Sequence, residues 1–260
     1  MILDVLADGA RARVARAKER ISLDEMRRLA EALPPRKGLP FKEALQGPNL
    51  SFICELKRAS PSKGLIAEDF PYMGIAKAYE AAGADALSVL TEPERFLGDD
   101  RYLSEIAASI PLPALRKDFI VDLYQVYEAK TLGAAALLLI CAILPRDLLL
   151  ALYGEARRLS LDVLVETHDE KELGAALELG AEIIGVNNRD LKSFEVDLSV
   201  SERLGALIPN DKIFVAESGI STPADARRLR AAGADALLIG EALMRAPDQA
   251  AFLREMRAAQ

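Results

Sequence analysis

Glu55 and Lys57 stand two residues apart at the end of an apolar run, Ser51-Phe-Ile-Cys54. Such a run suits a buried strand, and alternation along a strand puts both charged side chains on one face. A charge on the face of a core strand must be paired or functional, because an unpaired buried charge is costly. The chain then turns into Arg58-Ala-Ser-Pro-Ser-Lys-Gly64, a stretch of hydroxyls, cations and turn formers. That composition suits capture of an anionic substrate at the carboxyl end of the strand. A salt-bridged strand end followed by a solvated loop explains these residues, taken alone, equally well.

The elements that must position this pair emerge from a repeat. Ala81-Ala-Gly-Ala-Asp-Ala-Leu-Ser-Val-Leu90 is echoed by Ala231-Ala-Gly-Ala-Asp-Ala-Leu-Leu-Ile-Gly240, with related segments at 132–140 and 179–186. Each is a helix tail, a glycine stop and an apolar strand. Gly83, Gly133, Gly180 and Gly233 are separated by 50, 47 and 53 residues, and one βα unit takes roughly half of that. Further strands fit between them at Leu112–Arg116, Leu161–Glu166 and Lys212–Glu217, and the run 52–57 brings the number to eight. Strands alternating with helices imply a parallel sheet. Eight units in 260 residues favour a closed (β/α)8 TIM barrel over residues 48–260. A doubly wound open sheet is the alternative, but the glycine-rich dinucleotide fingerprint it would carry after its first strand is absent. Residues 1–47 lie outside the repeat and are expected to be an N-terminal helical extension packed on the barrel. Within it Ser22-Leu-Asp-Glu25 forms a capping box that starts a helix running to Leu33, and Pro34-Pro35 ends it.

Barrels of this type work at the carboxyl ends of their strands. There the sequence sets Glu55 and Lys57, Lys117, Glu166, Asn187 and Glu217. A lysine at a strand end or a glutamate at a helix start is commonly structural, but two lysines, three glutamates and an asparagine converging on one mouth point to acid–base chemistry. Ser218-Gly219 and Gly240-Glu241 place small residues where the last two strands meet their helices, a position at which barrels often bind phosphate. Since a carboxylate repels phosphate, Glu241 should contribute its backbone N–H and turn its side chain away. Phe96, Phe119, Leu138 and Ile239 could wall an apolar slot, with ordinary core packing as the alternative for some of them. The one histidine, His168, is expected to cap the next helix.

Composition excludes several functions. The net charge of −7 argues against nucleic-acid binding. No apolar run approaches the ~20 residues needed to span a bilayer, and Met1-Ile-Leu-Asp-Val5 lacks the basic start of a signal peptide, so a cytoplasmic chain with no membrane partner is expected. Cys54 and Cys141 lie in apolar runs and read as core thiols. A single histidine disfavours a Ser-His triad or a multi-histidine zinc site, so no metal is expected. Asn and Gln are scarce, four of each, and arginines are twice as many as lysines, a composition that leans towards a thermophile.

The motifs Glu-Leu-Lys-Arg-Ala-Ser-Pro-Ser-Lys-Gly (55–64), Leu-Arg-Lys-Asp-Phe-Ile (115–120), Val-Glu-Thr-His (165–168), Gly-Val-Asn-Asn-Arg-Asp-Leu (185–191) and Ala-Glu-Ser-Gly-Ile (216–220) occur in this order. Together they resemble the indole-3-glycerol-phosphate synthase family over nearly the whole chain. The resemblance implies a carboxy-lyase of tryptophan biosynthesis. It would close the ring of 1-(2-carboxyphenylamino)-1-deoxyribulose 5-phosphate with loss of CO2 and water, without a metal or organic cofactor. Apart from the resemblance, a monomer is expected. By the same resemblance Lys117 matches the general acid and Glu166 the general base. Glu55, Asn187 and Glu217 match groups that orient the reaction. Lys57 and Ser60 match substrate-anion contacts, Arg189 and Leu191 the mouth of the sixth strand, and Ser218, Gly219 and Gly240 the phosphate site. Glu241 stands where some members have serine. The chemistry suits these types, since the ketone must be protonated for ring closure, and a proton must then be delivered to the leaving hydroxyl and another removed. A phosphoribosylanthranilate isomerase on the same barrel would use an Asp/Cys-type pair. A non-catalytic scaffold would tolerate losing these residues together, and all are present.

Overall fold

A computed structural model describes residues 2–34, 40–190 and 192–258. Eight parallel strands, Ser51–Leu56, Ala86–Leu90, Ala114–Lys117, Ala136–Ile140, Asp162–Thr167, Ile183–Asn187, Ile213–Glu217 and Ala236–Ile239, are paired in sequence order. The first pairs with the last, Ser51 against Ala236, so the sheet is a closed barrel and not an open one. Ala59–Ser60 and Gly64–Leu65 add a small antiparallel hairpin in the loop after the first strand.

Both faces of the strands are buried, which is why they read as unbroken apolar runs. Alternation assigns the faces. Phe52, Cys54, Leu87, Val163, Leu237 and Ile239 point into the layer between strands and helices. Ile53, Leu115, Leu164, Val215 and Leu238 fill the barrel interior. Continuing that inward parity by two residues arrives at Glu55, Lys117, Glu166, Glu217 and Gly240. The apolar plug thus ends in a polar layer at the carboxyl end, made by the same backbone periodicity.

The repeated segments do equivalent work. Gly83, Gly133, Gly180 and Gly233 each end a helix with φ between 75° and 94°, a left-handed turn in which a side chain is strained. The repeated aspartates follow, with Asp85 Oδ2 accepting from Phe52 N at 2.8 Å and Asp235 Oδ2 from Phe214 N at 2.9 Å. Each ties the loop before one strand to the start of its neighbour.

Three helices precede the barrel: Ile2–Arg20, Leu23–Ala32 and Pro40–Ala44. Ser22 caps the second, its hydroxyl accepting from Glu25 N at 3.2 Å. That helix ends at Ala32, before Pro34, while Pro35 lies outside the described residues. The short third helix and the turn after it bury Phe41 and Leu45 in the interior cluster, and the helix donates Lys42 N to Asp162 Oδ2 at the amino end of the fifth strand (2.8 Å). The first helix adds Leu6, Ala7 and Ala10 to the same cluster, where it meets Phe119, Val121 and Ile140 near the carboxyl end. Among the described residues no helix is long and apolar enough to cross a membrane.

Candidate active site

A cavity of about 690 Å³ opens at the carboxyl ends of the strands. Lys117 Nζ lies 3.4 Å from Glu166 Oε2 and 3.7 Å from Glu217 Oε2. Glu55 Oε1 is 2.5 Å from Lys57 Nζ, and Glu55 Oε2 accepts from Ser88 Oγ at 3.2 Å. Asn187 Nδ2 donates to Glu166 Oε1 at 3.2 Å, and its Oδ1 accepts from Arg189 N at 3.0 Å. All three carboxylates are about 2 % exposed.

Burial works against the Lys117 ammonium, but Glu166, Glu217 and Glu55 outweigh it and hold its pKa above the ordinary lysine value. Burial also opposes the charged form of Glu166, yet Lys117, His168 and Asn187 keep it well below the carboxylate range. Glu55 is likewise lowered, burial being overcome by Lys57, Lys117 and Ser88. Glu217 goes the other way. Burial and then the charge of Glu166 push it up, against the pull of Lys117.

His168 is not the helix cap its position suggested. Asp169 takes that role, its side chain accepting from Glu172 N at 2.8 Å. The imidazole instead spans two carboxylates, with Nε2 3.3 Å from Glu166 Oε1 and Nδ1 3.0 Å from Glu172 Oε2. Burial alone would lower its pKa, but these two neighbours raise it to about 10.

Phe96 and Phe119 face each other across the cavity wall, ring centroids 6.2 Å apart, with Leu138 on the same lining. Ile239 lines the cavity as well, though not as an inward-facing residue of its strand. It has outward parity and packs among the helices, and Leu238 is the inward residue of the eighth strand. Ile2, Leu3 and Leu6 of the first helix complete the apolar lining. Nothing in their spacing marks them as site residues. Arg13 explains how that helix is fixed, donating to Glu92 Oε1 at 3.2 Å and to Asp118 Oδ1 at 2.6 Å. Glu92 in turn accepts from the backbone N–H groups of Glu94, Arg95 and Phe96 at 2.7–2.9 Å, and Asp118 accepts from Thr91 Oγ1 at 2.8 Å.

Lys57, Ser60, Ser218, Gly219, Gly240 and Glu241 line the cavity beside the last two strands. The Glu241 carboxylate is drawn to Arg245 Nε at 3.3 Å and Lys63 Nζ at 3.7 Å. Gly240 has a second reason to be glycine, because a Cβ there would stand 2.6 Å from Glu55 Oε1 and 3.1 Å from Lys57 Nζ. Gly219 has φ +78°, and a Cβ on it would meet Val196 Cγ1 at 2.2 Å. A side chain at 219 would therefore collide with the loop after the sixth strand. Arg189 lines the cavity and donates from Nη1 to Phe194 O at 3.0 Å, while Leu191 lies outside the described residues.

A lysine between two buried glutamates, under an apolar slot and beside a cationic rim, defines an acid–base enzyme of the (β/α)8 class. The particular family follows from comparison. The model of the family "Indole-3-glycerol phosphate synthase" matches residues 3–256. The "Indole-3-glycerol phosphate synthase" of Ruminiclostridium cellulolyticum is 51% identical over 257 residues, covering 99% of both chains. That of Endomicrobium trichonymphae is 49% identical over 257 residues, covering 99% of this chain and 100% of the relative. The chain belongs to the indole-3-glycerol phosphate synthase family. Among solved structures, 3-hexulose-6-phosphate synthase from Salmonella typhimurium superposes with a TM-score of 0.67 at 14% identity, covering 81% of this chain and 98% of that one. Thiamine phosphate pyrophosphorylase from Pyrococcus furiosus gives 0.60 at 18% identity, covering 84% and 96%. Those two share the fold alone.

Proposed function

We propose that the cavity converts 1-(2-carboxyphenylamino)-1-deoxyribulose 5-phosphate to indole-3-glycerol phosphate, CO2 and water. The observation that carries this reading is Lys117, an ammonium held by Glu166 and Glu217 at the floor of a cavity with an aromatic-lined side and a cationic rim. The aromatic ring of the substrate lies against Phe96, Phe119 and Leu138. Its phosphate lies beside Ser218, Gly219, Gly240 and the backbone of Glu241, with Lys57 and Ser60 contacting its anionic groups. Arg189 borders this end of the cavity.

Lys117 donates a proton to the ketone oxygen, making that carbon electrophilic towards the ring carbon bearing the carboxylate. The bonding pair left by departing CO2 returns to the ring. A second proton lets the hydroxyl leave as water, and Glu166 removes a proton from the linker carbon to complete the pyrrole. Glu55, Asn187 and Glu217 orient these groups. Each positioned acid or base contributes roughly 10²–10⁴-fold. None of these steps calls for a metal or organic cofactor.

Incubating the purified protein with this ribulose phosphate and following indole fluorescence tests the reading directly. A flat signal from folded protein would refute it. A monomer in the cytoplasm is part of the same proposal, and size-exclusion chromatography tests the first. The scarcity of Asn and Gln and the arginine excess support a heat-adapted chain, which a melt above the mesophile range of about 45–65 °C would bear out.

A further inference from the structure

The reaction proposed above consumes a proton. With the substrate carboxylate ionised, one proton goes to the ketone oxygen and a second leaves with the hydroxyl as water, while one returns when the pyrrole forms. CO2 carries none away. The site must therefore supply one proton more than it recovers.

The three buried carboxyls differ in what supports their charge. Glu55 has Lys57 at 2.5 Å and Ser88 at 3.2 Å. Glu166 has Asn187 at 3.2 Å, His168 at 3.3 Å and Lys117 at 3.4 Å. Glu217 is equally buried, and among the described residues its Oε1, like Glu55 Oε1, has no hydrogen bond. But Glu55 Oε1 has Lys57 Nζ at 2.5 Å, whereas the ion pair of Glu217 is the longer one to Lys117, 3.7 Å from Oε2. Oε1 points at Gly185 on the adjacent sixth strand, where a Cβ would stand 2.2 Å from it. The neighbouring strand makes room for this carboxyl and offers it no donor. Asn187, opposite Glu217 in the strand register, gives its amide to Glu166. The charged groups that bear on Glu217 are Glu55 from the first strand, Lys117 from the third, and Glu166 with His168 from the fifth strand and its loop.

We propose that Glu217 is a neutral carboxylic acid in the resting enzyme and stores the proton the reaction consumes, passing it to Lys117. The proposal rests on the function proposed above. Lys117 breaks an N–H bond to form the O–H bond on the ketone oxygen. The Glu217 O–H then gives its proton to the freed amine lone pair, leaving a carboxylate beside a restored ammonium. Lys117 protonates the departing hydroxyl, and Glu166, protonated by the linker carbon, returns that proton to Lys117. Glu217 ends one proton short and is recharged from solvent. No oxidant or reductant is involved. Burial and the charges of Glu166 and Glu55 support the neutral form, holding the carboxyl up at about 8 against Lys117.

Infrared difference titration of the resting enzyme, without substrate, tests the protonation independently of turnover. The C=O stretch of a carboxylic acid should be present at neutral pH and vanish as pH rises through about 8. It should be missing in Glu217→Gln and kept in Glu55→Gln. In turnover, Glu217→Gln should lower kcat on the order of 10²-fold. The alkaline fall of kcat/KM near pH 8 should be lost in that variant and return in Glu217→Asp. If Glu217→Gln does not fold, a shifted acid band in Glu217→Asp carries the same test. No acid band at neutral pH, a band that survives Glu217→Gln, or wild-type turnover in that variant would overturn the proposal. An acid band in a protein that leaves the ribulose phosphate unchanged would instead refute the function and leave the protonation standing.

Discussion

Lys117 Nζ reaches 3.4 Å from Glu166 Oε2 although their strands are the third and the fifth. The fourth strand lies between them and offers Leu138 and Ile140 to the interior. The pair spans the mouth over an apolar floor, so its attraction is weakly screened. Each group also holds the other in its charged form, which keeps an acid and a base side by side.

Lys117→Ala, Lys117→Arg and Glu166→Gln should each keep the fold and lose turnover on the order of 10²–10⁴-fold in kcat. Arginine keeps the charge but holds its proton too tightly to donate it. The double variant should lose much less than the product of the singles if the two act as a unit. Near wild-type kcat in folded Lys117→Ala would end this assignment. A rise confined to KM would recast Lys117 as an anchor and leave Lys57 as the acid.

Arg13 joins the first helix to two loops that carry aromatic residues of the slot. Its side chain is 18% exposed, against 1% for Glu92 and 2% for Asp118. Arg13→Met keeps the apolar stem and removes one cation from two buried carboxylates, which keep their backbone and Thr91 donors and, for Asp118, Arg116 at 3.8 Å. Losing the charged hydrogen bonds should destabilise the protein by about 1.5–3 kcal/mol. The loop holding Phe96 loses its anchor, so KM should rise as well. Urea titration alongside steady-state kinetics checks both, and an unchanged midpoint would show that the ion pairs contribute nothing net.

A carboxyl whose folded pKa is raised above its unfolded value favours folding most when protonated. For Glu217 the ordinary value is 4.5 and the folded one about 8, so wild-type stability is lost as pH rises through that window. Glu217→Gln, which cannot ionise, should melt higher than wild type, with a gain that grows from about pH 4.5 to about 8 and is flat above. A gain independent of pH would show that Glu217 does not titrate there.

Much of this was legible because the strand period is two. Once the run 52–57 reads as a strand, Glu55 must face inward, and the same parity predicts Lys117, Glu166 and Glu217. The same rule sets Ile239 one residue out of phase with the inward Leu238, although both line the cavity. Contacts set by the third dimension were not legible. Arg13 meets Asp118 across 105 positions, and Ile2 and Leu3 reach the cavity only because their helix lies over the mouth. Nor could types alone rank the three glutamates, since the ranking depends on which of them receives donors. His168 shows the same limit. Its place after a strand suggested a cap, and only its distances to Glu166 and Glu172 show a bridge.

Gly219 separates two reasons for a glycine beside a cavity. It follows Ser218, which has φ 66°, and itself has φ +78°. A Cβ here would stand 2.2 Å from Val196 Cγ1 and 3.2 Å from Leu198 Cδ2. Alanine at a left-handed glycine destabilises by more than about 1 kcal/mol, and overpacking adds roughly 1–3 kcal/mol. Gly219→Ala should therefore lower Tm by several degrees, at about 2–4 °C per kcal/mol for a chain of this size. It should also raise KM, because pushing the 194–198 loop disturbs the side of the cavity assigned to phosphate. Val196→Ala removes the atom struck, so it should recover part of the lost stability in the double variant, a coupling a mutant cycle reads directly. The φ strain would persist, and recovery should be partial. If Val196→Ala restores no stability while inorganic phosphate protects wild type and not Gly219→Ala, the glycine serves the anion alone and the packing account fails.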